Sequence, residues 1–146
     1  MDYSTLKPMI EGNIPWIKAS GLSAEVLEER HVVLRLPKEG HLNHVGIVYA
    51  GSLFMLMEIA GAALFTCTYE YGKYVPINKG MDIQFLNMGV TDILCELSIS
   101  EEKAKEMLRP IDEKGKGEWV LEIECHDTEG KLIAKSTCQY YVKKMS

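Results

Sequence analysis

From Val45 to Tyr69 the chain reads VGIVYAGSLFMLMEIAGAALFTCTY, twenty-five residues in which Glu58 is the only charge. By length such a run could span a bilayer, which takes about 20 apolar residues. A carboxylate at its centre is costly there, and no basic cluster or tryptophan belt flanks the run to orient it. The alternative is a helix that is apolar on every face because protein surrounds it on every face. What lies on either side of the run decides between the two.

Most of the remaining chain alternates apolar and polar residues at period two, the signature of strands with one buried face. Leu22, Ala24 and Val26 share a phase, and HVVLRL follows at His31 to Leu36. After the apolar run, Met81, Ile83 and Phe85 alternate with Asp82 and Gln84, and Ile93, Cys95, Leu97 and Ile99 with Glu96, Ser98 and Ser100. Trp119, Leu121, Ile123 and Cys125 oppose Glu118, Glu122, Glu124 and His126; Leu132, Ala134, Cys138, Tyr140 and Val142 form the last set. Asp127 to Gly130 is a hairpin connection with glycine placed for a positive φ. Glu101 to Lys114 carries helix formers ending at Gly115, a C-cap, with Pro110 expected to interrupt or kink it. Six one-sided strands need one apolar object to cover. The expected fold is α+β, in the order β-β-α-β-β-(short α)-β-β, with a curved antiparallel sheet of five or six strands wrapped round the long helix. That leaves no role for a membrane.

The 146 residues suit one domain, expected to run from 1 to 146. Sixteen basic against twenty-one acidic residues give a net charge of −5, the wrong sign for gripping a phosphate backbone, so nucleic acid is not an expected partner. The first dozen residues lack a basic start followed by an apolar run, so no secretory signal is expected and a cytoplasmic location is. Cys67, Cys95, Cys125 and Cys138 fall at apolar phases without a CxxC pair and are expected as reduced core residues. The four histidines, His31, His41, His44 and His126, have no ligand spacing, so no metal is expected.

The chemistry concentrates between His41 and Ala63. A polar loop holding Asn43 and Gly46 leads into the helix at about Val48 to Gly51. The first N–H groups of a helix have no intrahelical partner and sit at the positive end of its dipole. Gly51 lets a ligand approach that backbone closely, a setting suited to a carbonyl oxygen that gains negative charge. Glu58 lies seven residues on, on nearly the same face but about 10 Å further along the axis, too far to serve a group held at its own helix's N-terminus. Two chains with their long helices antiparallel about a two-fold axis bring the Glu58 of one opposite the N-terminus of the other. Among apolar neighbours its pKa is expected to rise towards the range of a general base. Asn43 equally suits a turn or a cap, and a buried Glu58 equally suits a hydrogen bond to a loop.

At these residues the sequence resembles a known family. Asn43-x-x-Gly46-x-x-Tyr49-Ala50-Gly51, followed seven residues later by an acid in an Ala/Gly-rich helix, resembles the PaaI-like branch of the hot-dog-fold acyl-CoA thioesterases, whose pattern is N-x-x-G-x-x-H-G-G and then Asp or Glu. Asp82 to Leu86 resembles the strand after the helix, Asp127 to Ala134 the last hairpin, and the EKGKGE run with Glu for Asp is similar to the subgroup that includes the C-terminal domain of YiiD. The resemblance implies a hot-dog fold and an acyl-CoA thioesterase with its site shared between two subunits of a homodimer or homotetramer. Coenzyme A enters as part of the substrate, with no separate cofactor. By the same resemblance Gly51 donates its N–H to the thioester carbonyl, the partner's Glu58 acts as general base or nucleophile, and Asn43 positions water or the carbonyl. Tyr49, Ala50, Ser52 and His44 are the implied substrate contacts. Tyr49 replaces the family histidine and Ala50 the first glycine, and a phenol with a pKa near 10 is a poor proton shuttle at neutral pH. An acyl-CoA-binding protein with little turnover is therefore the alternative. Lys73, Lys79, Lys143 and Lys144 are candidate partners for the CoA phosphates, and Met55, Met57, Met81, Met88 and Met107 for an acyl channel or plain core.

Overall fold

The computed structural model describes residues 2–146. A 3-10 turn (Tyr3–Leu6) and two short helices, α1 (Lys7–Gly12) and α2 (Pro15–Ser20), precede the first strands, β1 (Ser23–Glu28) and β2 (His31–Leu36). The long helix α3 (Ala50–Thr68) follows, then β3 (Tyr74–Phe85), β4 (Ile93–Ser98), α4 (Glu101–Lys114), β5 (Lys116–Asp127) and β6 (Leu132–Lys144). The six strands form one sheet in the order β1-β2-β4-β5-β6-β3, every neighbouring pair antiparallel. The edges are therefore β1 and β3.

Period two places the core as the sequence requires. Val32, Leu34 and Leu36 of β2, Ile93 and Cys95 of β4, Trp119, Ile123 and Cys125 of β5, and Cys138, Tyr140 and Val142 of β6 are all buried. They close on Leu56, Met57, Ala60 and Leu64 of α3, which has the length and hydropathy of a membrane span but is mostly enclosed by its own sheet. Each such aliphatic side chain contributes about 1.5–3 kcal/mol by leaving water. The four cysteines are free thiols inside this core. At the C-terminal end of α3, Trp119 Nε1 donates to the Tyr69 hydroxyl (3.1 Å), which donates to the Ala104 carbonyl (2.9 Å). One relay thus ties β5, α3 and α4 together.

Three elements differ from the sequence reading. Pro110 does not interrupt α4: it sits on the exposed side, where the carbonyl left without an N–H partner faces water, and buried Ile111 anchors the turn beyond it. Strand β3 begins at Tyr74 rather than Met81, because the register shift between Asn78 and Gly80 breaks the alternation that period two would reveal. The N-terminal stretch is helical, with Pro8 and Pro15 in the first turns of α1 and α2, where a missing N–H costs nothing.

Candidate active site

The loop entering α3 is built by Asn43. Its Oδ1 accepts from the backbone N–H of Val45 (3.0 Å) and Ile47 (3.3 Å), its own N–H donates to the Ile47 carbonyl (2.8 Å), and Gly46 turns the chain at φ +79°. An asparagine there satisfies donors that an alanine would leave to water. The Asn43 Oδ1 is thus committed to the loop. His44, at the loop tip, is exposed.

Tyr49 is the N-cap residue of α3, in extended conformation and without a side-chain cap bond. Its carbonyl accepts from Ser52 (3.0 Å) and Leu53 (3.2 Å), so among the described residues the N–H groups of Ala50 and Gly51 are left without a protein acceptor. Two free donors at a helix N-terminus present positive potential to whatever lies over them. The Tyr49 ring lies there now: a Cβ on Gly51 would stand 2.5 Å from Tyr49 Cε1. Ser52 points the other way. It is buried, and its hydroxyl bonds His41 Nδ1 (2.8 Å), while His41 Nε2 donates to the Ser20 carbonyl (2.7 Å). That chain locks the helix start onto the end of α2.

Along α3, Gly51, Phe54, Glu58, Ala62 and Thr66 form the one stripe that the sheet leaves partly open. The spacing of three and four residues puts them on one face. Burial raises the Glu58 carboxyl above its ordinary value, and the neighbouring Asn78 amide partly opposes this. Among the described residues no lysine, arginine or histidine pairs with Glu58. Behind it, the Tyr140 hydroxyl donates to the Glu58 backbone carbonyl (2.9 Å). Cys138, beside Tyr140 on β6, is a thiol held protonated, chiefly by burial. Asn78 and Tyr140 escaped the sequence reading. Asn78 lies in the bulged part of β3, and Tyr140 reads as ordinary core; only Gly61, over which the Tyr140 hydroxyl sits, hinted at a close crossing.

Gly51 and Glu58 lie on one face of α3 but about 10 Å apart along it, and Asn43 is held in the loop. Exposed Leu42, Val45, Tyr49 and Phe54 surround the helix start, and Val48 N–H bonds the Gly89 carbonyl (2.8 Å) beside exposed Met88 and Val90. Met55 and Met57 are core. Lys73, Lys79 and Lys144 pair with Glu70, Glu118 and Asp112, so three of the four candidate phosphate contacts are already neutralised. No cluster of metal-ligating side chains occurs among the described residues.

A curved six-stranded antiparallel sheet wound round one long helix is the hot-dog fold, and the chain is a thioesterase-like hot-dog protein. It belongs to the domain-of-unknown-function family DUF4442, whose model matches residues 4–142. A Pseudomonas aeruginosa protein of unknown function, PA5026, described as a "Probable Thioesterase", has a crystal structure that superposes with a TM-score of 0.93 at 34% identity, covering 99% of this chain and 97% of its own. A Streptococcus pneumoniae structure described as a hypothetical thioesterase with coenzyme A shares the fold at TM-score 0.64 and 17% identity, over 86% and 89% of the two chains. A mutant of the Staphylococcus aureus thioesterase SAV0944 does so at 0.69 and 15%, over 89% and 99%. No curated protein matches the sequence.

Proposed function

We propose that the protein hydrolyses acyl-CoA thioesters at two equivalent sites, each shared between the subunits of a homodimer. The observation that carries this is Glu58: a carboxylate shifted upward by burial, without a cation, on the open stripe of the helix whose N-terminus offers two unpaired N–H groups. The separation within one chain requires a second copy. The sheet edges favour one arrangement. At β1, Lys7 Nζ donates to the Ala24 carbonyl (2.6 Å) and Glu11 accepts from the Ala24 N–H (2.7 Å), so two side chains occupy the bonds a further strand would make. Along the twelve-residue edge strand β3 the one described side-chain bond of this kind is local, from the Gly80 N–H to Asn78 Oδ1 at the bulge, and the strand lies next to the open stripe. Long uncovered edges are the ones that pair. Two β3 strands joined antiparallel set the two α3 helices antiparallel and bring Glu58 of one subunit towards Gly51 of the other.

In that site the thioester carbonyl oxygen accepts from the Gly51 N–H. Glu58 of the partner subunit takes a proton from water as the water oxygen bonds to the carbonyl carbon. The C–S bond then breaks, and the leaving thiolate takes up the proton from Glu58, releasing carboxylic acid and CoA thiol. Release of free thiol from acyl-CoAs of graded chain length, compared with Glu58→Gln, tests it. Thiol release from the wild type with a loss of at least about 100-fold in the variant is expected. Absence of release from every substrate overturns it. One observation favours a second function, acyl-CoA binding with little turnover: the Tyr49 ring covers the Gly51 backbone that the carbonyl must reach. Ligand-dependent thermal stabilisation without thiol release is the result expected of that alternative.

A further inference from the structure

Asn78 carries the one buried side-chain polar atom among the described residues that has no hydrogen-bonding partner, its Nδ2. Leaving an amide donor unpaired in a protein interior is costly, and native structures hold few such groups. The orientation of the amide is fixed. Its Oδ1 accepts from the Gly80 N–H (3.0 Å) across the bulge between Asn78 and Gly80, which leaves Nδ2 as the end that points inward. Asn78 is the cross-strand partner of Tyr140, whose hydroxyl holds the Glu58 carbonyl. The Glu58 carboxylate is the acceptor close enough to feel the Asn78 amide. The other titratable groups around it are the Cys138 thiol and the Tyr140 hydroxyl, both on β6, and no cation is paired with it.

We propose that Asn78 is the positioning residue of Glu58: Nδ2 donates to one carboxylate oxygen in the ionised state, turning the other towards the ligand. This rests on Glu58 being the general base. The unpaired donor then has a purpose. A carboxylate without a cation, among apolar neighbours, has several rotamers and no preferred aim; one N–H fixed by a strand bulge gives it one. A hydrogen bond to the ionised form also holds the pKa below what burial alone sets, so the base is charged at a lower pH.

The test is a titration of the Glu58 carboxyl carbon by NMR, which needs no substrate. In Asn78→Leu, similar in volume but without a donor, the midpoint is expected to move to higher pH; in Asn78→Asp, which sets a second carboxylate there, it is expected to move further still. The unmodified protein supplies an independent arm. The Asn78 side-chain N–H resonances should shift with the Glu58 midpoint, and that shift should vanish in Glu58→Gln. If the protein hydrolyses acyl-CoA, the acidic limb of kcat/KM against pH should move in Asn78→Leu by the same amount as the NMR midpoint. Coincident Glu58 midpoints in all three proteins, or Asn78 resonances blind to Glu58, overturn the proposal. So does a hydrolytic pH profile that Asn78→Leu leaves in place. Absence of hydrolysis from every acyl-CoA removes the catalytic reading alone, and the pair is still decided by the titration.

Discussion

Gly61 is where the central helix touches the sheet most closely, and its replacement by alanine is the sharpest test of the packing. A Cβ built there stands 2.1 Å from Tyr140 Oη, 3.0 Å from Tyr140 Cζ and 3.1 Å from Ile123 Cδ1. The first distance is roughly 1.4 Å inside the ~3.5 Å at which such atoms rest. Tyr140 cannot step aside freely: it is 1% exposed, its ring lies 5.6 Å from that of fully buried Trp119, and its hydroxyl is bonded to Glu58. Overpacking of this kind costs about 1–3 kcal/mol. Losing the hydroxyl's bond in a buried place costs about another 1–3 kcal/mol. The better helix propensity of alanine returns about 1 kcal/mol. Gly61→Ala is therefore expected to destabilise the fold by about 3 kcal/mol, a fall in Tm of roughly 10 °C for a chain of this size. Tyr140→Phe alone should cost about 0.5–1.5 kcal/mol. In the double variant the 2.1 Å conflict is gone and only the two contacts near 3 Å remain, so the pair should be more stable than the sum of the single costs by about 2 kcal/mol. Thermal or urea unfolding of the four proteins measures this. A Gly61→Ala protein as stable as the wild type, or costs that add to within about 0.5 kcal/mol, would falsify the close crossing.

Three further outcomes follow from the geometry. Gly51→Ala meets only the end of the exposed Tyr49 side chain, so it should leave Tm within about 2–4 °C of the wild type while abolishing the acyl-CoA hydrolysis proposed above; a large fall in Tm would place Gly51 in the packing instead. Burial raises the Glu58 pKa above its ordinary 4.5, so the unfolded chain gives up this proton first and folding is penalised as pH rises through the folded value; Glu58→Gln should therefore raise Tm at pH 8 and leave it unchanged below pH 4.5, with the reverse pattern refuting the assignment. Glu11→Ala removes the acceptor of the Ala24 N–H at the edge of β1, costing about 1 kcal/mol and exposing that edge to another chain; concentration-dependent light scattering above that of the wild type is expected, and identical scattering would show that α1 does not guard the edge.

The legible and the hidden parts of this structure separate on one physical line. Where a residue's partner is a face, the sequence shows it: the buried phases of β2, β4, β5 and β6, the apolar helix and the Gly115 cap all follow from periodicity and capping, because many side chains vote for the same plane. Where the partner is a single group brought in by topology, periodicity is silent. Tyr140 looks like any inward strand residue, and its contact with the Glu58 carbonyl joins positions 82 residues apart. Asn78 is hidden twice, once because the bulge shifts its phase and once because asparagine in a strand resembles a turn. Ser52 shows the converse: its place one residue after Gly51 suggests a ligand contact, yet helical geometry turns it about 100° away, into the core, where His41 holds it. The chain therefore uses its polar groups unevenly, and the unevenness is informative. The Asn43 Oδ1, Ser52 and His41 are satisfied by the fold itself, whereas the Ala50 and Gly51 donors, the Glu58 carboxylate and the Asn78 Nδ2 are not. Folding alone favours closing such bonds. The Ala50 and Gly51 donors and the Glu58 carboxylate lie on one face of one helix, the face that the proposed two-fold pairing along β3 would set against a second copy, while the Asn78 amide is the group proposed to aim Glu58 within its own chain.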